Sequence, residues 1–286
     1  MRTTALIAWG LAVGFGVSCS PKATLPEAPA TPAAPEPAPA ASTRPATHAN
    51  LNAVLFVQTA AEYAALARQA YTSAQLSLDE ALDDPTWSAA AEQTDGRPFA
   101  GLPPAVVLDV DETVLDNSAY QARLIRDGRD YERATWRAWT AERAAGAVPG
   151  ALAYAREAAA RGITVVYVTN RRADEEDDTR ANLAALGFPL TGEADVVLTR
   201  GERADWAASD KTTRREHLAL RYRILQLVGD NLGDFIEVPT GTVADRRAAV
   251  DAYADYWGTR WIVLPNPTYG SWQSALSASG GEGLRY

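Results

Sequence analysis

The sequence contains few of the residues on which several enzyme classes depend. Among 286 residues there are one cysteine, two histidines and two lysines, against 25 arginines. The cysteine, Cys19, precedes the region able to fold, so that region has no disulfide, thiol nucleophile or cysteine-based zinc site. Because His48 ends a linker, only His217 remains in the domain, and a His-pair phosphatase or a Ser-His-Asp hydrolase lacks its catalytic residues.

The charge balance narrows the class of partner. The net charge is −9, whereas proteins that bind nucleic acid carry basic patches, so we expect no nucleic-acid partner. A small anionic ligand remains compatible, because local charge can oppose the global sign. The length and the 47% hydrophobic content suit one large domain, with room for a small appended subdomain.

The first 48 residues predict a targeting segment and a spacer. Residues 1–19 carry Arg2, an apolar run and small residues, as a signal peptide does, and are too short for a stable membrane span. Their end, GVSC, resembles a bacterial lipobox, with glycine where leucine is usual, and predicts lipidation of Cys19; plain secretion is the alternative. Residues 20–48, rich in alanine and proline, predict a semi-extended spacer before a domain at 49–286.

Apolar periodicity predicts an α/β fold for that domain. A helical pattern at 50–82 leads into strands that alternate with helices, which implies a parallel sheet with helices on both faces. Residues 119–147 read as a helical insertion after the first strand. The predicted strands are 105–110, 163–169, 195–199, 224–229 and 261–264, and the predicted helices are 132–145, 150–161, 175–186, 212–220 and 242–256.

Polar residues follow three of these strands. The first strand ends in Asp109-Val110-Asp111, the second in Thr169-Asn170-Arg171, and the fourth in the sequence GDNLGD, which contains Asp230 and Asp234. Ligands of parallel sheets bind at the carboxyl ends of the strands, so these residues predict a single acidic site.

Such a cluster needs a cation. Two carboxylates about 4 Å apart repel by about 4 kcal/mol at an effective dielectric of 20. Several such pairs would approach the whole stability of a domain. Since the donors are all oxygen, the cluster of Asp109, Asp230 and Asp234 predicts a hard divalent cation, Mg²⁺ before Zn²⁺.

A carboxylate-held Mg²⁺ with positive side chains nearby favours phosphoryl transfer. Asp109 is the candidate nucleophile, because carboxylates form aspartyl-phosphates and the chain offers no other suitable group. Asp111 can act as general acid and then as base. Thr169 can hydrogen-bond phosphoryl oxygens, and Lys211, the one lysine of the domain, can neutralise charge on Asp109 and phosphate.

These residues resemble the four ordered motifs of the haloacid dehalogenase (HAD) superfamily: DVDET, Thr169, Lys211 and GDNLGD. More narrowly, LDNSAY, AVPGALAY, VTNRR and LPNPTYGSW look like the class C acid phosphatases, bacterial outer-membrane lipoproteins of which some are 5′-nucleotidases. The resemblance covers residues 51–272. It implies a Rossmann-like HAD fold with a small helical cap, formed by 119–147 with parts of the N- and C-terminal segments.

The resemblance also implies a role in catalysis or binding for each of these residues. Asp109 would form the phosphoenzyme, and Asp111 would be the acid/base and give its backbone carbonyl to Mg²⁺. Asp230 would be the third metal ligand, with Asp234 supporting through water. Thr113 and Asn170, which belong to the first and second motifs, are expected to contact substrate.

Two tyrosines are candidates for selecting the substrate. Tyr120 opens the insertion, and Tyr269 lies in LPNPTYGSW and matches an aromatic residue of the family thought to face a nucleobase. An aromatic face stacks on any base for about 1–3 kcal/mol, which predicts a preference for nucleoside 5′-monophosphates. The alternative is that Tyr269 only packs the C-terminal segment against the sheet.

Other functions stay open at this point. A lipoprotein that binds a nucleotide or cofactor without turnover is one alternative, and a phosphomutase or phosphonate hydrolase on the same scaffold is another.

The acidic run DEEDD at 174–178 suggests a second metal site, but favours a helix start, where acids suit the positive end of the dipole. Ser20 after Cys19 is not a retention aspartate, which favours the outer membrane of the cell envelope; a homodimer is left open.

Overall fold

The computed structural model describes residues 48–93, 96, 98–190, 195–237 and 241–278. The predicted signal peptide, the lipidation site Cys19 and the spacer up to residue 47 lie outside the described residues. Within the described part, no helix combines the length and apolar character that crossing a membrane requires.

The domain contains a five-stranded, fully parallel sheet in the order β5-β4-β1-β6-β7. This confirms the predicted α/β fold and all five predicted strands, although β4 continues three residues beyond its predicted end. The strands of the sheet are β1 (Pro104–Leu108), β4 (Thr164–Arg172), β5 (Val197–Arg200), β6 (Arg223–Gly229) and β7 (Trp261–Val263); a separate two-stranded ladder pairs β2 (Leu115–Asp116) with β3 (Gly146–Ala147).

The sheet is buried on both faces, as continuous apolar strands require. On β1, Val106 and Leu108 join one hydrophobic core cluster, whereas Ala105 and Val107 join a second. Because side chains alternate along a strand, these two clusters lie on opposite faces of the sheet. The central strand is thereby fixed in register, and so is the loop that follows it.

Nine helices are seen in the described residues: α1 (Leu51–Thr59), α2 (Ala61–Asp83), α3 (Ser118–Asp127), α4 (Arg133–Glu142), α5 (Ala151–Ala160), α6 (Glu176–Leu186), α7 (Thr212–Ala219), α8 (Val243–Ala252) and α9 (Ser271–Ala278).

The predicted N-terminal helical pattern is interrupted at one residue. Ala60 is extended, with φ −77° and ψ 126°, so α1 and α2 are separate helices. The turn lets α1 lie against α3 while α2 packs on α5 and the sheet. The predicted helix at 242–256 also ends early, at Ala252, and a 3₁₀ turn over Ala254–Tyr256 follows it.

The range predicted as an insertion contains α3 and α4, which we call the cap. Its base is the antiparallel ladder of β2 and β3, in which Leu115 pairs with Ala147 and Asp116 with Gly146. This ladder returns the chain to the sheet directly after the loop at 109–114, so the cap stands over the carboxyl end of β1.

Candidate active site

Three of the acidic residues converge at the end of two neighbouring strands. Asp109 follows β1 and Asp230 follows β6, and these strands pair in the centre of the sheet. The backbone N–H of Asp109 donates to Val228 at 2.8 Å, which extends this pairing to the first acid. One carboxylate oxygen from each of Asp109, Asp230 and Asp234 lies within 4.8 Å of the others. The geometry therefore brings together three of the four predicted metal ligands by their side chains.

Asp234 reaches the cluster through a tight turn. It ends a 3₁₀ turn over Leu232–Asp234, and its Oδ2 accepts the backbone N–H of Asn231 at 2.9 Å. A Cβ atom on Gly229 would lie 2.5 Å from the Cβ of Asp234, so the turn closes only over glycine. The first glycine of GDNLGD is thus required by this close approach.

Lys211 is buried between two of these carboxylates. Its Nζ donates to Oδ1 of Asp234 at 2.6 Å and also to Oδ1 of Asp109. Burial alone would lower the pKa of Lys211, but the negative charges of Asp109 and Asp234 raise it above its usual value. The lysine is therefore held as an ammonium ion, and it sits directly before α7.

The carboxylates carry more negative charge than one lysine offsets. Burial, opposed by Lys211 and reinforced by Asp234 and Asp111, raises the pKa of Asp109 to about 6. Burial and the charges of Asp109 and Asp234 raise the pKa of Asp230 well above its usual value. An all-oxygen donor set with this excess charge fits a hard divalent cation.

Asp230 is oriented by two neutral donors. The hydroxyl of Thr113 donates to its Oδ1 at 3.2 Å, and Nδ2 of Asn266 donates to its Oδ2 at 2.7 Å. Thr113 is fully buried. The hydroxyl of Thr113 therefore supports the acidic cluster through Asp230.

The side chain of Asp111 faces away from the cluster. Its Oδ1 accepts Nη2 of Arg171 at 2.8 Å, Nε of Arg171 at 3.0 Å and Nδ2 of Asn117 at 2.9 Å. Arg171 is almost completely buried, whereas Asp111 keeps 17% of its side chain exposed. The carboxylate is thus held at the surface of the cleft, within the loop that carries Asp109.

Thr169 and Asn170 lie on β4, which neighbours β1. The hydroxyl of Thr169 accepts the N–H of Arg171 at 3.0 Å, and among the described residues nothing receives its own proton. A buried arginine behind the strand holds both residues: Arg214 donates to the carbonyl of Thr169 at 2.5 Å and to Oδ1 of Asn170 at 2.8 Å. Burial lowers the pKa of Arg214 to about 10. Asn170 is exposed and Thr169 is not.

Glu112 forms the centre of a network that the sequence did not indicate. It is a non-glycine residue with positive φ, 57°, and its carboxylate accepts the N–H of Asn117 at 2.9 Å and the hydroxyl of Tyr269. Burial and the charge of Asp111 raise the pKa of Glu112 to about 8, although the hydrogen bonds from Tyr269 and Asn117 oppose the shift. The only available signal was an acid left unassigned inside DVDET.

The two tyrosines differ in position. Tyr269 is half-buried, and its bond to Glu112 places it beside the loop at 109–114, which we call the catalytic loop. Tyr120 is 2% exposed, its hydroxyl lies 3.0 Å from that of Thr135, and its ring centre lies 5.1 Å from that of Trp136. The expectation that Tyr120 contacts substrate is therefore corrected, because α3 turns this ring into the interior of the cap.

The acidic run at 174–178 holds the cap. Glu175 is buried and accepts from Arg133 at 2.7 Å and from the hydroxyl of Thr140, while Asp178 pairs with Arg143 at 2.8 Å. The run does start α6, as the dipole argument favours. Its side chains also fix α4 to the body of the domain.

Comparison with known proteins identifies the family. A family model of the HAD superfamily, subfamily IIIB (acid phosphatase), matches residues 33–272. The structure is similar to that of the class C acid phosphatase from Bacillus anthracis, with 33% identity, a TM-score of 0.69, and coverage of 83% of this chain and 91% of that one. A structure of the same protein with tungstate bound gives a TM-score of 0.70.

A plant protein is a more distant relative. The stem 28 kDa glycoprotein of Glycine max is 24% identical over 164 residues, which are 57% of this chain and 58% of that protein. The chain thus spans less than two thirds of the length of this curated relative. The match of the family model over most of the sequence carries the assignment: the chain belongs to the acid phosphatases of HAD subfamily IIIB.

Proposed function

We propose that the protein is a Mg²⁺-dependent acid phosphatase that hydrolyses phosphomonoesters through an aspartyl-phosphate on Asp109. The observation that carries this is the placement of a buried carboxylate, Asp109, against a buried ammonium ion, Lys211, at the end of the central strand. Tungstate is a tetrahedral oxyanion like phosphate, and its presence in the similar Bacillus anthracis structure supports a phosphate site in this fold.

The residues fit the cation as well as the ester. Asp109 and Asp230 would hold Mg²⁺ through their side chains and Asp111 through its backbone carbonyl. Asp234 would support the ion from outside, since its two oxygens are already bonded to Lys211 and Asn231. When bound, Mg²⁺ would neutralise carboxylate charge and polarise the phosphoryl group.

The reaction has two steps. In the first, Asp109 attacks phosphorus, the bond to the leaving oxygen breaks, and Asp111 donates a proton to that oxygen. In the second, Asp111 takes a proton from water, the water oxygen attacks the aspartyl-phosphate, and Asp109 and inorganic phosphate are released. Lys211 balances charge on Asp109 and phosphate throughout, and the free hydroxyl proton of Thr169 is available to a phosphoryl oxygen.

We further propose that nucleoside 5′-monophosphates are the preferred esters. The support is Tyr269, whose ring is half-buried beside the catalytic loop, and the exposed amide of Asn170 at the end of β4. A ring in that position can stack on a base of any identity. A packing role for Tyr269 remains the competing explanation, and the Tyr269 variants described below separate the two.

A release assay tests the activity. Full-length protein should release phosphate from phosphomonoesters with Mg²⁺, lose that activity on chelation, and regain it when Mg²⁺ is restored. Asp109→Asn keeps the shape of the side chain but removes the attacking oxygen, so turnover should fall to background. Asp130→Asn, an exposed position on the cap, is the matched control and should be unaffected.

Three outcomes would contradict the proposal. Near-normal turnover by a folded Asp109→Asn protein would exclude the aspartyl-phosphate. Full activity in metal-analysed, chelated protein would exclude the metal requirement. Wild-type protein that binds nucleotides without releasing phosphate would favour the non-catalytic binding lipoprotein.

We also propose that Cys19 is lipidated and anchors the protein in the bacterial cell envelope, in the outer membrane. The support is the position of the single cysteine at the end of a signal-peptide pattern. Cys19→Ser should abolish metabolic lipid labelling and move the protein out of the membrane fraction. Equal labelling of variant and wild type would refute the assignment.

A further inference from the structure

A groove lies where the N-terminal helices meet the base of the cap. One wall is the junction of α1 and α2, residues 57–64, and the other is formed by Asp116, Ser118, Ala147 and Pro149. Its volume is about 680 Å³. Pockets that enclose small organic ligands span about 300–1,000 Å³, so this junction groove has the size of a ligand site.

A buried tyrosine lies at this groove. Tyr63 lines it and is 4% exposed, and no group in the described part of the chain hydrogen-bonds its hydroxyl. The hydroxyl keeps some contact with solvent and is therefore not enclosed inside the protein. A ligand in the groove could therefore bond this hydroxyl in place of water.

The opposite wall supplies a carboxylate. Oδ1 of Asp116 accepts the N–H of Ser118 at 2.8 Å, which fixes the side chain and leaves Oδ2 without a described partner. The exposed amide of Gln58 lines the same space. In addition, α2 begins at Ala61 without a side-chain cap, and the first N–H groups of a helix have no acceptor within it.

The junction groove is joined to the catalytic loop. Asp116 ends β2, which begins directly after the loop that carries Asp109 and Asp111. Farther along α2, the hydroxyl of Tyr71 donates to the carbonyl of Thr113 at 2.7 Å, which fixes α2 against that loop. Tyr63 lies eight residues earlier on the same buried face of α2, about 12 Å along the helix.

The charges that act on Tyr63 agree with this proximity. Burial raises the pKa of Tyr63 above its usual value, and the negative charges of Asp116, Glu112 and Asp230 raise it further. The charges of Asp116, on the groove wall, and of Asp230, in the acidic cluster, thus both act on Tyr63. A group bonded to a phosphoryl oxygen at Asp109 could extend toward it.

We propose that the junction groove is the leaving-group subsite of the phosphatase, and that Tyr63 and Asp116 select uncharged leaving groups rich in hydroxyls. This rests on the proposed function. A phenol hydroxyl both donates and accepts, and a carboxylate accepts from neighbouring hydroxyls, so together they match a sugar or polyol. The same carboxylate repels an anionic leaving group, which sets the selectivity against phosphorylated carboxylic acids.

Three phosphate esters with different leaving groups test this subsite. Ribose 5-phosphate has hydroxyls, phenyl phosphate has none, and 3-phosphoglycerate carries a second anion. In full-length protein, Tyr63→Phe should lower the ratio of kcat/KM for ribose 5-phosphate over phenyl phosphate about five- to tenfold, the loss of one hydrogen bond. Asp116→Asn keeps the oxygen that accepts from Ser118 and should raise kcat/KM for 3-phosphoglycerate relative to ribose 5-phosphate about tenfold.

The controls separate the possible failures. Tyr131→Phe makes the same change at an exposed tyrosine of the cap loop and should leave all ratios unchanged. Unchanged ratios in both groove variants, or equal losses for every ester together with a lower Tm, would overturn the subsite. If wild-type protein releases phosphate from no ester, the proposed function itself has failed.

Discussion

The indole N–H of Trp139 donates to the side-chain oxygen of Asn117 at 2.8 Å. Trp139 belongs to α4 of the cap, and Asn117 holds the carboxylate of Asp111 through its amide N–H₂ at 2.9 Å. Arg171 donates to the same two residues, 3.3 Å from the Asn117 oxygen and 2.8 Å from the Asp111 oxygen. The orientation of the candidate acid/base is therefore set jointly by the cap and by β4.

Arg171→Lys tests whether this orientation matters for proton transfer. An ammonium ion cannot reproduce the two N–H bonds that Nε and Nη2 make to Asp111. We expect kcat to fall about 100-fold for alkyl phosphates, whose leaving oxygen needs the proton, and much less for p-nitrophenyl phosphate, whose leaving group is stable as an anion. Arg172→Lys, at the exposed neighbour, is the control. Equal losses for both esters would assign Arg171 a purely structural role.

Lys211→Arg tests whether the site needs a compact ammonium ion between its two carboxylates. A guanidinium keeps the charge but cannot fit the enclosed position from which Nζ bonds both Asp109 and Asp234. We expect kcat/KM to fall at least 100-fold with Mg²⁺ present, while Arg221→Lys, an exposed change of the reverse kind, stays near wild type. Wild-type kinetics in Lys211→Arg would show that the identity of this cation is unimportant.

The buried carboxyl of Glu112 should make the free energy of unfolding depend on pH. Its pKa is raised from 4.5 to about 8, mainly by burial, so between these values the folded state holds a proton that the unfolded state releases. The free energy of unfolding of chelated protein should therefore fall as pH rises through this window, by at most about 1.4 kcal/mol per pH unit for this residue.

Glu112→Gln removes this titration and keeps one of the two oxygens, so it retains either the bond from the backbone N–H of Asn117, on Oε1, or the bond from the hydroxyl of Tyr269, on Oε2. Denaturant unfolding in chelator at several values between pH 5 and pH 8 should give a flatter dependence for the variant. Asp109 contributes in the same direction in both proteins, so the difference between the two curves isolates Glu112. Parallel curves would mean that this carboxyl is ionised in the folded protein.

Much of this site could be predicted because each element carries a local signal. Asp109 and Asp230 end apolar strands, and the carboxyl ends of neighbouring parallel strands meet at one edge. The break at Ala60 could not be predicted, since alanine is a strong helix former and no glycine or proline marks the position. Only the packing of α1 on α3 requires the turn.

The supporting contacts were missed for a different reason. Tyr269 and Glu112 are 157 positions apart, and Arg214 reaches back 45 positions to Thr169. Neither pair is signalled by periodicity or by spacing along the chain. Tyr120 was misplaced in the same way, because its position after the loop does not show which side of α3 faces the cleft.

Two variants of Tyr269 separate stacking from packing. Tyr269→Ala removes the ring, whereas Tyr269→Phe keeps the ring and removes only the bond to Glu112. Stacking predicts that kcat/KM for 5′-AMP falls about tenfold or more in the alanine variant, with a small aliphatic phosphate nearly unchanged, and that phenylalanine retains the preference for the nucleotide. Equal losses for both esters in the alanine variant would favour the packing role.

The ion pairs that hold α4 differ in their contact with water, and this makes ionic strength a variable of substrate binding. Arg137 is largely exposed and its partner Asp174 half-exposed, and Arg143 is half-exposed opposite Asp178, so dissolved salt weakens these surface pairs. The pair of Arg133 with the buried Glu175 is shielded. The outer edge of the cap should therefore loosen at high salt before the inner edge does. As salt is added, hydrolysis of esters with bulky leaving groups should change before hydrolysis of esters with small ones.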